Sequence, residues 1–361
     1  MRYRYSVLSI SRTLLLAAAL TPCSAQDRGR VLSRTDLVEN VQYLASVLED
    51  VHPSPFLSGG GKLAFFWQVD DVIRAIPDSG LSLWSFYGRI LPIVAGVGDV
   101  HTSLRGPDDL TANGFAIPLD FMALDGALYV KEAYHEEYDD LLGARLDSVG
   151  GYAFSDLLER QKHIAGNENS YSGLENLPRF LRWRNGFRLL APQPAATGGT
   201  RATFILSGGE RRAVQVSFPD SIRWDEAASL PSRVDLPDTQ GEPAYTFLDE
   251  SKRAALLSID DMTSYREAFE WFRHFEYDVD SYARELYTQY HDDAPPADYD
   301  RVLDGLPSAS EIFASLTDEM EAAGTEVLLI NLRYNSGGQQ RLLHCSEVFR
   351  PILRIVSDGR A

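Results

Sequence analysis

Two short stretches of this chain hold residue types that could do chemistry. The first is Gly96-Val97-Gly98-Asp99-Val100-His101-Thr102-Ser103-Leu104, where an aspartate, a histidine and two hydroxyls fall close together. A histidine in such a loop suits general-base work, because its pKa lies near neutrality and a neighbouring carboxylate could fix its tautomer. Asp99 and His101 alternate, however, and in an extended segment they would point to opposite faces. A second reading therefore stands beside the first: Asp99 caps a turn and His101 is a packed side chain. The other stretch is Asn335-Ser336-Gly337-Gly338, directly after the apolar run Val327 to Ile330 and Leu332. Adjacent glycines let a backbone take positive φ or approach a ligand with no Cβ in the way. Just past the carboxyl end of a strand, the N–H groups of Gly337 and Gly338 are candidate oxyanion donors. The same residues also make an ordinary turn.

Other chemistries lack their residues. No Gly-x-Ser-x-Gly elbow, His-Glu-x-x-His, Walker or dinucleotide glycine pattern occurs. The histidines are His52, His101, His135, His163, His274, His291 and His344, and none has a metal-ligand partner at helical spacing, so neither zinc nor any cofactor is expected. The lysines are Lys62, Lys131, Lys162 and Lys252, and none stands three residues after a serine, which excludes a local Ser-x-x-Lys arrangement.

The elements that must position these stretches follow from periodicity and punctuation. Ser33 to Asp36 reads as a helix start, with Leu37, Val41, Leu44, Leu48 and Val51 at helical spacing before His52-Pro53. Phe65 to Ile76 marks a second amphipathic helix stopped by Pro77, and Ser82 caps a third. Next comes a β-rich stretch: a hairpin over 115–131 turning at Asp125-Gly126, a strand over 142–149 with a Gly-Gly turn, a short helix over 154–163, and a hairpin over 202–218. Residues 166–200 read as a more polar stretch, with a surface loop at 192–199. Four prolines mark 219–244 as a linker. A strand over 253–259, a helix over 310–323 and the run at 327–332 make a βαβ unit, whose last strand is expected to be buried on both faces. Between them, residues 276–304 form an acidic, tyrosine-rich insert, read as a solvent-facing excursion or an aromatic-lined lid.

The chain of 361 residues carries a formal charge of −18, which argues against nucleic acid or an anionic membrane as partner. Arg2 and Arg4, the apolar run Leu14 to Leu20 and Ser24-Ala25 have the order of a secretory signal, cleaved after Ala25. Export to a periplasmic or extracellular location is therefore expected, with membrane attachment only if Cys23 is lipidated, an alternative that Pro22 disfavours. Once the signal is gone, Cys345 has no partner for an internal disulfide.

The order of these pieces resembles the tail-specific (C-terminal-processing) serine peptidase family, whose relatives include the tricorn core protease and the interphotoreceptor retinoid-binding protein. His52-Pro53 is similar to the family's helix-ending His-Pro, 98–102 to its Gly-Asp-x-His-Thr, and 329–338 to its strand and Gly-Gly turn, with Asn331 where the family usually has Asp. The resemblance implies an α/β (α+β overall) fold: a signal at 1–25, a helical N-terminal unit at 26–105, a β-rich, PDZ-like module at 106–218, the linker at 219–244, and the start of a ClpP/crotonase-like core at 245–361. It implies an exported serine-type peptidase acting on protein or peptide substrates. The family's nucleophile follows one strand after the Gly-Gly turn. Ser336 precedes the glycines and Ser357 lies before any further strand, so the nucleophile is absent and the chain as given is expected to be inactive. In a branch that uses a histidine base, as tricorn does, His101 is the matching position; in a lysine branch the base lies beyond the serine. The alternative is a non-catalytic peptide- or apolar-ligand-binding protein of the same fold.

Overall fold

The computed structural model describes residues 31–335, apart from 108–113, 192–197, 220–221, 223–226, 232–233, 238, 240 and 334. The signal reading, Cys345, Ser336, Gly337, Gly338 and Ser357 therefore lie outside the described residues. Among those described, no helix is long and apolar enough to cross a membrane, and no group of three or more His, Cys, Asp or Glu is placed to hold a metal ion. The chain divides into two compact units, Met1–Pro231 and Ser232–Ala361.

The first unit begins with a two-residue strand, β1 (Val31–Leu32), and helix α1 (Arg34–Val51). Ser33 caps that helix by accepting the Asp36 N–H at 3.2 Å, as its sequence predicts. Helix α2 (Gly61–Arg74), strand β2 (Leu81–Ser82), which pairs antiparallel with β1, and helix α3 (Leu83–Ala95) follow. Leu37, Val41, Leu48, Phe65, Val69, Ile90 and Ile93 bury their faces together, so the three helices share one core.

The β-rich part that follows is an antiparallel sheet. Its strands are β3 (Leu119–Leu124), β4 (Ala127–Ala133), β5 (Arg145–Val149), β6 (Tyr152–Ala153), β7 (Gly199–Ile205), β8 (Arg211–Ser217) and β9 (Ala228–Ser229). The path runs β3-β4-β5-β7-β8, with β6 on β5 and β9 on β4. The first hairpin turns at Asp125 (φ 49°) and Gly126 (φ 75°), the doubly left-handed turn whose twist matches the flanking strands. Part of the segment expected as a linker is thus tied to this sheet: Ala133 pairs with Ala228 and Glu132 with Ser229.

Helix α4 (Phe154–Gln161) was expected, but the polar stretch after it holds two helices, α5 (Ser170–Arg182) and α6 (Arg184–Leu190). Asn169 starts α5 by accepting the N–H groups of Tyr171 and Ser172 at 2.9 and 3.0 Å. Leu174, Leu177 and Leu181 are buried on one face. That cap and that spacing were legible; Pro178 within the helix and the surrounding charges concealed them.

In the second unit, β10 (Ala244–Phe247) lies antiparallel to β11 (Ala254–Ser258), which lies parallel to β12 (Val327–Asn331). Ala254 pairs with Val327 and Ser258 with Asn331, so the expected strand–helix–strand unit is present. Helices α7 (Arg266–His274), α8 (Asp280–Tyr290), α9 (Tyr299–Asp304) and α10 (Ala309–Ala323) fill the crossover. Leu257, Tyr265, Phe313, Leu316 and Met320 form the core beside the sheet.

Two expectations fail here. Val327, Leu329, Ile330 and Leu332 remain 46–49 % exposed, because among the described residues β12 is flanked by β11 alone and meets the core through Leu328. The acidic insert is not a solvent excursion either. Its Leu286, Val302 and Leu303 are buried around Phe269, and Tyr287, Tyr290 and Tyr299 pack against them, so burial of apolar and ring surface outweighs its acidic composition. The whole is a mixed α/β fold with helices and several sheets.

Candidate functional site

The His101 loop is built by the ends of two helices. Helix α1 stops at His52 (φ −77°, ψ 132°), because Pro53 biases the residue before it toward extended backbone. The N–H of Ser54 then donates to His52 Nδ1 at 3.1 Å. An imidazole nitrogen that accepts carries no proton, so the proton of neutral His52 sits on Nε2. Nε2 faces Asp99 Oδ2 at 3.3 Å and donates to it. Both ring nitrogens of His52 are engaged, which leaves it no free lone pair for a base.

Helix α3 ends with Gly96 N–H on Pro92 O at 2.9 Å and Gly98 N–H on Ala95 O at 3.0 Å. Gly98 sits at φ 74°, and a Cβ there would fall 2.5 Å from the Ser58 Cβ, so conformation and space both require glycine. Gly166 lets the chain pass close by: a Cβ on it would meet Asp99 O at 2.4 Å.

Asp99 gathers the loop. Its Oδ1 accepts the His101 N–H at 2.9 Å, and its Oδ2 accepts the Thr102 hydroxyl at 2.5 Å together with His52. Burial pushes the carboxyl pKa up, but the Thr102 hydroxyl, the His101 N–H and His52 outweigh it and hold the group below the usual aspartate value. Asp99 therefore caps a turn, as the second reading expected. His101 is not packed, however: it is exposed, and among the described residues its ring makes no hydrogen bond. The loop thus fixes the backbone of His101 and leaves its imidazole available.

The second unit holds the start of the other stretch. Asn331, 8 % exposed, donates from Nδ2 to Ser258 Oγ at 2.9 Å and accepts Arg333 Nε at 2.8 Å on Oδ1. An amide can do both, which is what the Asn331 position requires. Asn335 Nδ2 donates to Ile259 O at 2.9 Å, anchoring the chain where it leaves β12. Gly337 and Gly338 follow outside the described residues. The His52 bond to Asp99 was missed in the sequence, where His52 stood only as a helix-ending residue.

With this geometry in place, solved structures supply a parallel. The chain is similar in fold to CPAF, a serine protease of Chlamydia. Mature CPAF complexed with lactacystin matches with a TM-score of 0.50 at 15 % identity, over 86 % of this chain and 58 % of the CPAF chain. Mature CPAF alone gives 0.49 at 14 % identity, over 85 % and 56 %. The chain thus spans a little over half the length of the CPAF chains that it matches. What is shared is the fold. No family model matches the sequence, and no curated protein does.

Proposed function

We propose that this chain belongs to an exported serine-type peptidase of the tail-specific kind. His101 is its general base, Gly337 and Gly338 donate to the oxyanion, and a serine nucleophile comes from outside residues 1–361. The observation that carries the reading is the carboxylate-pinned loop: Asp99 holds the His101 backbone while the ring stays free. The CPAF-like fold supports it, and a CPAF structure with bound lactacystin fits a site that accepts peptide-like substrates. A base nitrogen must stand about 3 Å from the nucleophile's oxygen, and donors must stand where charge develops. The PDZ-like character of the β-rich part and the kinship to tricorn and the retinoid-binding protein rest on the motifs alone.

The test is the complete gene product, with everything its reading frame encodes beyond residue 361, assayed with an unfolded protein substrate and a serine-directed fluorophosphonate. The reading expects labelling, cleavage, and a kcat lowered about 10²–10⁴-fold in His101→Gln with a smaller change in KM. Neither labelling nor cleavage would overturn it and leave the non-catalytic binder. Export is tested by N-terminal sequencing of the secreted protein. The reading expects Gln26 first, whereas a lipidated Cys23 at the start would show a lipoprotein.

A further inference from the structure

Two cavities of the first unit adjoin at Ile164 and share helix α3 as a wall. The smaller, about 410 Å³, is bordered by Val100 and residues 102–106 of the loop that carries His101 and by helix α5; Arg105 and Arg179 line it. The larger, about 650 Å³, carries Arg89, Arg160, Arg188 and His163. Among the described residues, no aspartate or glutamate lines either, although the chain holds 52 acidic residues against 34 basic. None of the five arginines has a carboxylate partner among the described residues, whereas Arg182, Arg211 and Arg284 each do.

Exposed arginines are often simply hydrated, but two features here point past hydration. Arg188 stands over the Trp84 ring at 5.4 Å and Arg160 over the Tyr152 ring at 4.2 Å, so aromatic faces hold these cations in place without neutralising them. Apolar side chains, including Leu91, Leu104 and Phe180, make up part of the cavity walls beside the charges, and concave apolar surface weakens solvent screening of a charge next to it. Guanidinium groups without a carboxylate partner in such a setting match carboxylates through paired N–H donors.

We propose that the two cavities form one basic trough that binds an acidic peptide segment, its carboxylates on the arginines and its apolar side chains on the walls between them. The trough begins at the His101 loop, so it selects peptides with acidic residues beside the segment presented there. Nucleic acid fits less well. Trp84 is only 9 % exposed and covered by Arg188, which leaves no open ring face for a base, and the chain as a whole carries −18. That the charge is carried by a peptide rests on the peptidase reading. Binding is read without cleavage, so each can fail alone.

The test uses the full 361-residue chain and fluorescence anisotropy with three labelled probes: a peptide alternating Glu and Leu, its Gln-for-Glu counterpart, and a single-stranded oligodeoxynucleotide. The Glu peptide is expected to bind at least about tenfold tighter than the Gln peptide, with affinity falling as salt rises. Either double variant, R89Q/R188Q or R105Q/R179Q, is expected to weaken the Glu peptide by about tenfold or more. R201Q, at an exposed strand arginine outside both cavities, is expected to leave binding unchanged. Equal binding of the Glu and Gln peptides, no binding of either, an effect of R201Q equal to that of the double variants, or tighter binding of the oligonucleotide would each overturn the proposal.

Discussion

Asp99 shows how one carboxylate shapes a loop. It receives three donors, from His101, Thr102 and His52, and offers nothing in return. In Asp99→Asn, either orientation of the amide turns its NH2 toward a group that is itself donating: the His101 N–H on one side, the His52 Nε2–H on the other. The expected cost is about 1–3 kcal/mol of stability, measured by urea unfolding at neutral pH. A pH dependence accompanies it. Because the folded pKa is depressed, the contribution is fully present above the ordinary aspartate value and is lost as pH falls through the folded value. The difference between wild type and Asp99→Asn should therefore shrink on acidification; a constant difference down to strongly acidic pH would refute this account.

At the scale of elements, Glu267 on α7 starts a different helix. Its Oε1 accepts the Ser308 hydroxyl at 2.7 Å and the Ser310 N–H at 3.0 Å, and its Oε2 accepts the Ala309 N–H at 3.1 Å. Burial raises the Glu267 pKa, but the Ser308 hydroxyl and the helix N–H groups outweigh it and leave the group below the usual glutamate value. A carboxylate at the positive end of α10 is also favoured by the helix dipole. Glu267→Gln should cost about 1–2 kcal/mol at neutral pH and flatten the acid-side fall in stability, followed by circular dichroism in urea from neutral pH to acid. The sign is the same as for Asp99, since both folded pKa values are depressed. The caps of α1 and α3 were legible because a serine and the N–H groups it accepts lie within three residues of one another. The Glu267 cap was not, because its partners stand 41 to 43 residues along the chain. The burial of the tyrosine-rich insert was hidden for the same reason: its cover is Phe269, outside the insert.

Over the whole molecule, each unit has its own buried core. Leu177 is fully buried in the sheet-side core of the first unit, and Phe313 is 1 % exposed in the second. Leu177→Ala should cost about 2–5 kcal/mol and Phe313→Ala about 3–5. Followed by hydrogen exchange in urea, each variant should lower protection in its own unit only; loss of protection in both units from either substitution would show a single cooperative structure instead. The charge of −18 belongs to this scale as well, because it sets the background against which a trough with no carboxylate among its described lining residues stands out.

The sequence by itself determined what depends on near neighbours. It placed the serine-capped starts of α1 and α3, the stop at His52-Pro53, the Asp125-Gly126 turn, the strand–helix–strand order of the second unit, and the singular character of the loop from Gly98 to Thr102. These rest on interactions spanning a few residues, so composition and spacing record them. Only the tertiary structure decided that His52 donates to Asp99 across 47 positions, that Asn331 serves Ser258 across 73, that β12 keeps an exposed face, and that arginines from four helices and a loop ring two adjoining cavities. Each of those depends on which distant segments the apolar faces bring together, and many residues in a sequence can bury equally well against more than one partner.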